Sequence, residues 1–560
     1  MKRFAVSGVI ISSVAVLLAG CGSTTSGTAA ESSSEPVQET EAETVAGTEK
    51  EAEEQTAQKD SEQVAAEYPD ATRIVLSDDK ITVDGEEAGT GETEAVYLAH
   101  DIVYYEDGKD FTYGEGSEVD AHTKEEADAH TVVHITKPGT YLLSGSLSAG
   151  QIAVDLGEDA KEDPNAVVTL VLGNVDITST VAPAVIFYRV YECGSSEEAD
   201  AAKDVDTSAA GANVIIADGT VNQINGSYVA KIYKSYELNE AGTEVTDSKK
   251  LHKYDGAFYS KMSMNVDGGE EDSGILNIRA ENEGLDSELH LTINGGNINI
   301  TSGNDGINTN EDGISVTTIN GGRLNIVVDG STGEGDGIDS NGWLVINGGT
   351  VISSACAFSA DAGIDSDNGI HINGGTVIAS GNMLDRISES EQNFLVLSFD
   401  TRQDGGNSYL IKDESGEVIE EWEPFNDFTY LVYSSADLEP GNYAIWQGET
   451  RLAGAAGEAV GGPGRGDMGG PMGRPDGAEP PKRPDGEEPP EKPDGMKGQE
   501  RPEGMQRGEH PERSKDGTGK DEYPEKNSSA ETAEISVKFT VEEGGSYFSH
   551  VRAEGAEEQR

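Results

Sequence analysis

Carboxylates and amides recur at fixed places along the middle of this chain. A motif of small, apolar, polar and hydroxyl residues appears as Ala257-Phe258-Tyr259-Ser260, Gly284-Leu285-Asp286-Ser287, Gly306-Ile307-Asn308-Thr309, Gly337-Ile338-Asp339-Ser340 and Gly363-Ile364-Asp365-Ser366. Its polar position strings out a row of Asp286, Asn308, Asp339 and Asp365, and a second row follows at Glu288, Asn310, Asn341 and Asp367. Glu283, Asp305 and Asp336 stand immediately before the motif's glycine. If successive copies stack on one outer corner, like charges come about 5 Å apart and repel unless protonated or neutralised by a cation. An all-oxygen set of Asp and Asn suits Ca²⁺, which makes Asp286, Asp305, Asn308, Asp336, Asp339 and Asp365 the candidate metal ligands. The same residues also suit plain solvated turns, and EF-hand spacing is not met.

Catalytic patterns are missing. A calcium-dependent polysaccharide lyase needs a strong base near the metal, and residues 264–382 offer only Arg279 and Arg323. His290 and His371 each stand alone in strand-like runs and read as surface strand residues. No Ser/His/Asp order or Gly-x-Ser-x-Gly elbow occurs, so no catalytic residue is assigned. Aromatic rings stack on the apolar faces of pyranoses. Tyr259, Trp343 and Phe358 lie at or next to the corner motifs and are the candidate carbohydrate contacts, whereas Trp422 and Trp446 fall in the C-terminal part.

The elements that must hold these residues are short strands. Asn-Gly-Gly recurs at Asn294, Asn320, Asn347 and Asn373, at spacings of 26, 27 and 26 residues. Leu289, Leu291 and Ile293 alternate before the first of these, and Ile298 and Ile300 after it. Period two indicates strands, and Gly after Asn gives the positive φ of a sharp corner. No helical pattern separates the runs, which excludes a βαβ sheet. A fixed period near 26 residues predicts an all-β right-handed parallel β-helix, each coil carrying three short strands. Residues 188–211 and 226–252 read as loops inserted at corners, and 72–83 and 96–105 as capping strands. Cys193 and Cys356 fall several coils apart and are expected as free thiols.

The ends differ in composition. Residues 1–20 carry Lys2, Arg3 and a short apolar stretch ending in Leu18-Ala19-Gly20-Cys21, which resembles a lipoprotein signal with Cys21 as the lipidated residue. Residues 21–67 are Ser/Thr/Ala/Glu-rich and read as a disordered acidic tether. The β-helix with its N-terminal cap is assigned to 68–382, a small antiparallel β-domain to 383–450 plus 535–550, and a disordered Pro/Gly/charged insertion to 451–534, where Arg-Pro-Asp-Gly-like units recur. The formal charge of −66 excludes nucleic acid as a partner, because phosphate binding needs clustered Lys and Arg. Contact with the membrane is expected through the lipid alone, on the outer face of a bacterial cytoplasmic membrane and exposed at the cell surface.

One combination of strings is recognisable: Lys137-Pro138-Gly139-Thr140-Tyr141-Leu142-Leu143-Ser144-Gly145, Leu172-Gly173-Asn174-Val175-Asp176-Ile177, Gly256-Ala257-Phe258-Tyr259-Ser260-Lys261, and the two repeated motifs. It resembles the carbohydrate-binding domain-containing lipoproteins of clostridia and relatives. The resemblance implies a parallel β-helix that binds calcium and plant cell-wall polysaccharide, such as cellulose or pectic acid, without catalysis. A divergent calcium-dependent lyase and a β-helical spacer or adhesin without glycan binding remain as alternatives.

Overall fold

The computed structural model describes residues 58–457 and 534–556. The expected signal, Cys21, most of the tether and most of the 451–534 insertion lie outside the described residues. What is described is an all-β chain with large mixed sheets.

Repeats meet side by side, because each strand pairs in parallel with its counterpart one repeat later. In one column, Ala212–Ile216, Met264–Gly268, His290–Ile293, Val316–Ile319, Trp343–Ile346 and Gly369–Ile372 follow one another. A second column runs through Val221–Gly226, Ile275–Ala280, Asn297–Ser302, Arg323–Val328, Thr350–Ser354 and Thr376–Gly381. A third runs through Gly150–Asp155, Val185–Arg189, Gly256–Ser260, Glu283–Ser287, Ile307–Thr309 and Ile338–Ser340. Alternation along each strand sends one set of side chains to a shared core. Ile298, Leu324, Val351 and Val377 stack in register there, as do Leu285, Ile307 and Ile338, and all are buried.

Both glycines of the Asn-Gly-Gly corner are required, for different reasons. The second has φ of 92°, 79°, 78° and 83° at Gly296, Gly322, Gly349 and Gly375. At the first, a Cβ would sit 2.5 Å from a carbonyl oxygen of the preceding corner at Gly321 and Gly348, and 2.4 Å at Gly374. The asparagines join the corners into an amide ladder: Asn320 Nδ2 donates to Asn294 Oδ1, Asn347 to Asn320 and Asn373 to Asn347, each at 2.8 Å.

Several expectations change at the margins. The last residues of the predicted tether form a helix, Ser61–Glu67, started by a capping box between Asp60 and Gln63 and anchored by buried Val64. The stretch expected as a loop at 226–252 is a hairpin, Val229–Leu238 with Val245–Tyr254. Strand structure also enters the predicted insertion, as Thr450–Ala456. The C-terminal strands are antiparallel, and Phe428–Ser434 joins the second column directly by pairing antiparallel with Thr376–Gly381. Their core holds Tyr409, Trp422 and Tyr433 as stacked rings, so Trp422 is packing. Cys193 and Cys356 are free.

Candidate functional site

The acidic row belongs to the outward positions of the third column. Register places Ile186, Tyr259, Asp286, Asn308 and Asp339 in successive strands. The motif spacing puts this row on an outer corner, where solvent would reach it. Instead Asp286 is fully buried, Asn308 is 6% exposed and Asp339 half-buried. Tyr259 plugs the row from one side within an apolar cluster that includes Ile102, Ile186 and Tyr254.

The carboxylates gather into two groups on either side of Asn308. Asp255, Glu283 and Asp286 form one, buried throughout; Asp336, Asp339 and Asp365 form the other, half-buried. In each, one oxygen per residue lies within 4.8 Å of the others. Asp305 and Asp336 each use one oxygen to tie repeats together, accepting from Asp336 N at 2.7 Å and Ala362 N at 2.5 Å respectively. Lys253 reaches Asp255 at 2.6 Å. Asn310 Nδ2 donates to Asp286 Oδ1 at 2.6 Å.

Three buried acceptors of the row have no hydrogen-bond donor: Glu283 Oε2, Asp286 Oδ2 and Asn308 Oδ1. Such atoms cost free energy unless something meets them. Their neighbours are carboxylates, which accept but do not donate when ionised. A cation meets that need, and so do added protons. Burial, followed by repulsion from Asp286 and Asp255, holds Glu283 well above the usual carboxylate range. Burial and the charges of Asp255 and Glu288 do the same for Asp286. Burial, then Asp305, Asp365 and Asp339, raises Asp336. Burial lifts Asp305 to about 7, against the hydrogen bond from Asp336 N. Burial and the charges of Asp305 and Asp365 lift Asp339 to about 8. Burial is the first cause of every one of these shifts, repulsion among the carboxylates adds to it, and Lys253 offsets part of it at Glu283 and Asp286.

The structure thus brings Asp336, Asp339 and Asp365 together, sets Asp305 beside them, and separates Asp286 into a different group with Asn308 between. Asp255 was not foreseen, because Gly256, not Asp255, is in register with Glu283. The aromatic candidates do not form one surface. Tyr259 is wholly buried, and its hydroxyl donates to Glu288 with the Lys253 carbonyl 3.2 Å away, so it is no sugar platform. Trp343 is half-buried and Phe358 is 74% exposed on a loop. His290 and His371, expected at the surface, are both buried, 2% and 7% exposed. Gly194 of the 188–211 loop lies against the His290 ring, and His371 pairs with Glu389.

A search of curated proteins finds no match. Among solved structures, a polysaccharide lyase-like protein from C. thermocellum, studied as a gadolinium derivative, aligns with 55% of this chain and 93% of its own at 20% identity and a TM-score of 0.30. That likeness is too slight to carry fold or activity. Residues 129–394, which span the three columns of strands and the acidic row, match the model of a family described as carbohydrate-binding domain-containing protein.

Proposed function

We propose that this chain is a non-catalytic polysaccharide-binding protein whose acidic row holds structural Ca²⁺. The observation that carries the glycan reading is the family match over residues 129–394. The three parallel columns are read as the walls of a right-handed parallel β-helix, the hand that parallel crossovers take almost without exception. Glu283, Asp286 and Asn308 would offer a cation their unsatisfied oxygens, and Asp336, Asp339 and Asp365 a second set. The ion's part is to neutralise stacked carboxylates and so hold the repeats together. Lipidated Cys21 would keep the protein at the outer membrane face.

Lys253 supports a non-catalytic reading: its Nζ is ion-paired with Asp255 at 2.6 Å, whereas a lyase base must be free and deprotonated to act. Pull-down on cellulose and on pectic acid, with calcium or with chelator, tests the proposal. Cellulose should be bound, and pectic acid only when calcium is present. Failure on every glycan tried, or unsaturated uronate products from pectate, would overturn it.

A further inference from the structure

A groove of about 640 Å³ lies on the first column, away from the acidic row. Its floor crosses successive strands, with Asn265, Thr292, Thr318 and Val345 in register. Along one side runs the corner ladder of Asn294, Asn320 and Asn347. The other side is the segment 203–208. This wall is fastened down: Thr207 Oγ1 meets Asn265 Oδ1 at 2.7 Å and Thr292 Oγ1 at 2.6 Å, and the Thr207 carbonyl accepts from Asn265 Nδ2 at 2.8 Å.

Asn320 and Asn347 each spend one N–H on the preceding asparagine and keep a second N–H and a carbonyl lone pair. These leftover donors and acceptors repeat at the strand spacing, about 4.8 Å. A strip of that kind matches a ligand that presents hydroxyls at a similar step, which a chain of pyranose rings does. Trp343 lies two residues before Val345, on the same face of its strand, and puts a half-exposed ring on the groove-bearing face. Charge selects further. Asp204, Asp206 and Asp267 line the groove, and Lys203, its basic residue, is already paired with Asp204 at 2.8 Å.

We propose that this groove is the glycan site, that it takes a neutral pyranose polymer lying along the direction in which strands stack, and that it rejects uronate chains. The inference rests on the glycan-binding reading above and assigns it a place and a ligand class. The test is affinity electrophoresis of the whole protein, in chelator, against a soluble neutral β-glucan and polygalacturonate. Wild type should be retarded by the glucan and not by the uronate. Asn320→Ala and Asn347→Ala should each weaken glucan binding at least tenfold. Asn373→Ala removes a ladder residue that does not line the groove, leaves the amides of Asn294, Asn320 and Asn347 in place, and should bind as wild type does. Thr318→Glu leaves every ladder bond in place and should weaken binding like the groove asparagines, with an unchanged melt to show that the chain is folded. Glucan binding that survives all the groove variants, or that Asn373→Ala weakens equally, overturns the site. Retardation by polygalacturonate alone overturns the ligand class. No retardation by either polymer, and none on cellulose, brings down the glycan reading itself.

Discussion

Asn308 is the one amide in a buried row of carboxylates, and its position makes it the sharpest probe of the cation. Asn308→Asp adds a like charge between Asp286 and Asp339. In chelator the variant should melt several degrees below wild type, and saturating calcium should raise its melting temperature more than it raises that of wild type. At a hundred times Kd, a bound ion contributes about 2.7 kcal/mol. Calorimetric melts in calcium, magnesium and chelator read this directly; identical wild-type curves in all three would mean the row holds protons instead. His290 gives a second residue-scale test. Burial depresses its pKa to about 4, against about 6.5 in an unfolded chain. The unfolded state therefore binds the proton first. Stability from the buried neutral ring is complete above about 6.5, and falls as pH drops toward 4, by about 3 kcal/mol in all. His290→Leu should flatten the melting temperature between pH 6.5 and 4 relative to wild type. The burial of His290 was not readable from its own strand, because the segment that covers it comes from nearly a hundred residues earlier. The polar row was readable as a row, from motif spacing. Its desolvation was not, since Tyr259 and the elements packed around it supply the cover.

At the scale of elements, the corner decides how closely repeats approach. Gly348→Ala would press a Cβ to 2.5 Å from Asn320 O, and backbone must move to relieve it. Gly416 has φ of 87° with open space around it, so Gly416→Ala meets only the conformational cost, about 1–2 kcal/mol. Urea melts should show Gly348→Ala as clearly the more damaging, and equal midpoints would mean the corners are free to separate. The 26-residue period made the stacked strands legible because each has one buried face and one outer face. The hairpin Val229–Leu238 with Val245–Tyr254 escaped notice for the opposite reason: much of it is exposed on both faces, so no apolar alternation marks it. The helix Ser61–Glu67 buries a single residue, and its readable signal was the Asp60/Gln63 capping box.

At the scale of the whole molecule, a net charge of −66 opposes compactness. Screening shortens the reach of that repulsion to about 10 Å at 0.1 M salt. The melting temperature in chelator should therefore climb with added NaCl, and climb less once calcium is bound; salt independence would argue that the charges are spread too far apart to matter. The antiparallel pairing of Phe428–Ser434 with Thr376–Gly381 has a consequence for assembly. A pile of parallel strands leaves a row of free N–H and C=O groups on its final rung, and any strand of the same direction could continue the pile. Here the adjoining strand runs the other way and turns its far side to Phe394–Gln403. The last rung of the second column is thereby closed to a parallel strand from another copy. A chain cut after residue 382 would lose the block, and its bare rung would be free to recruit its own kind into fibres.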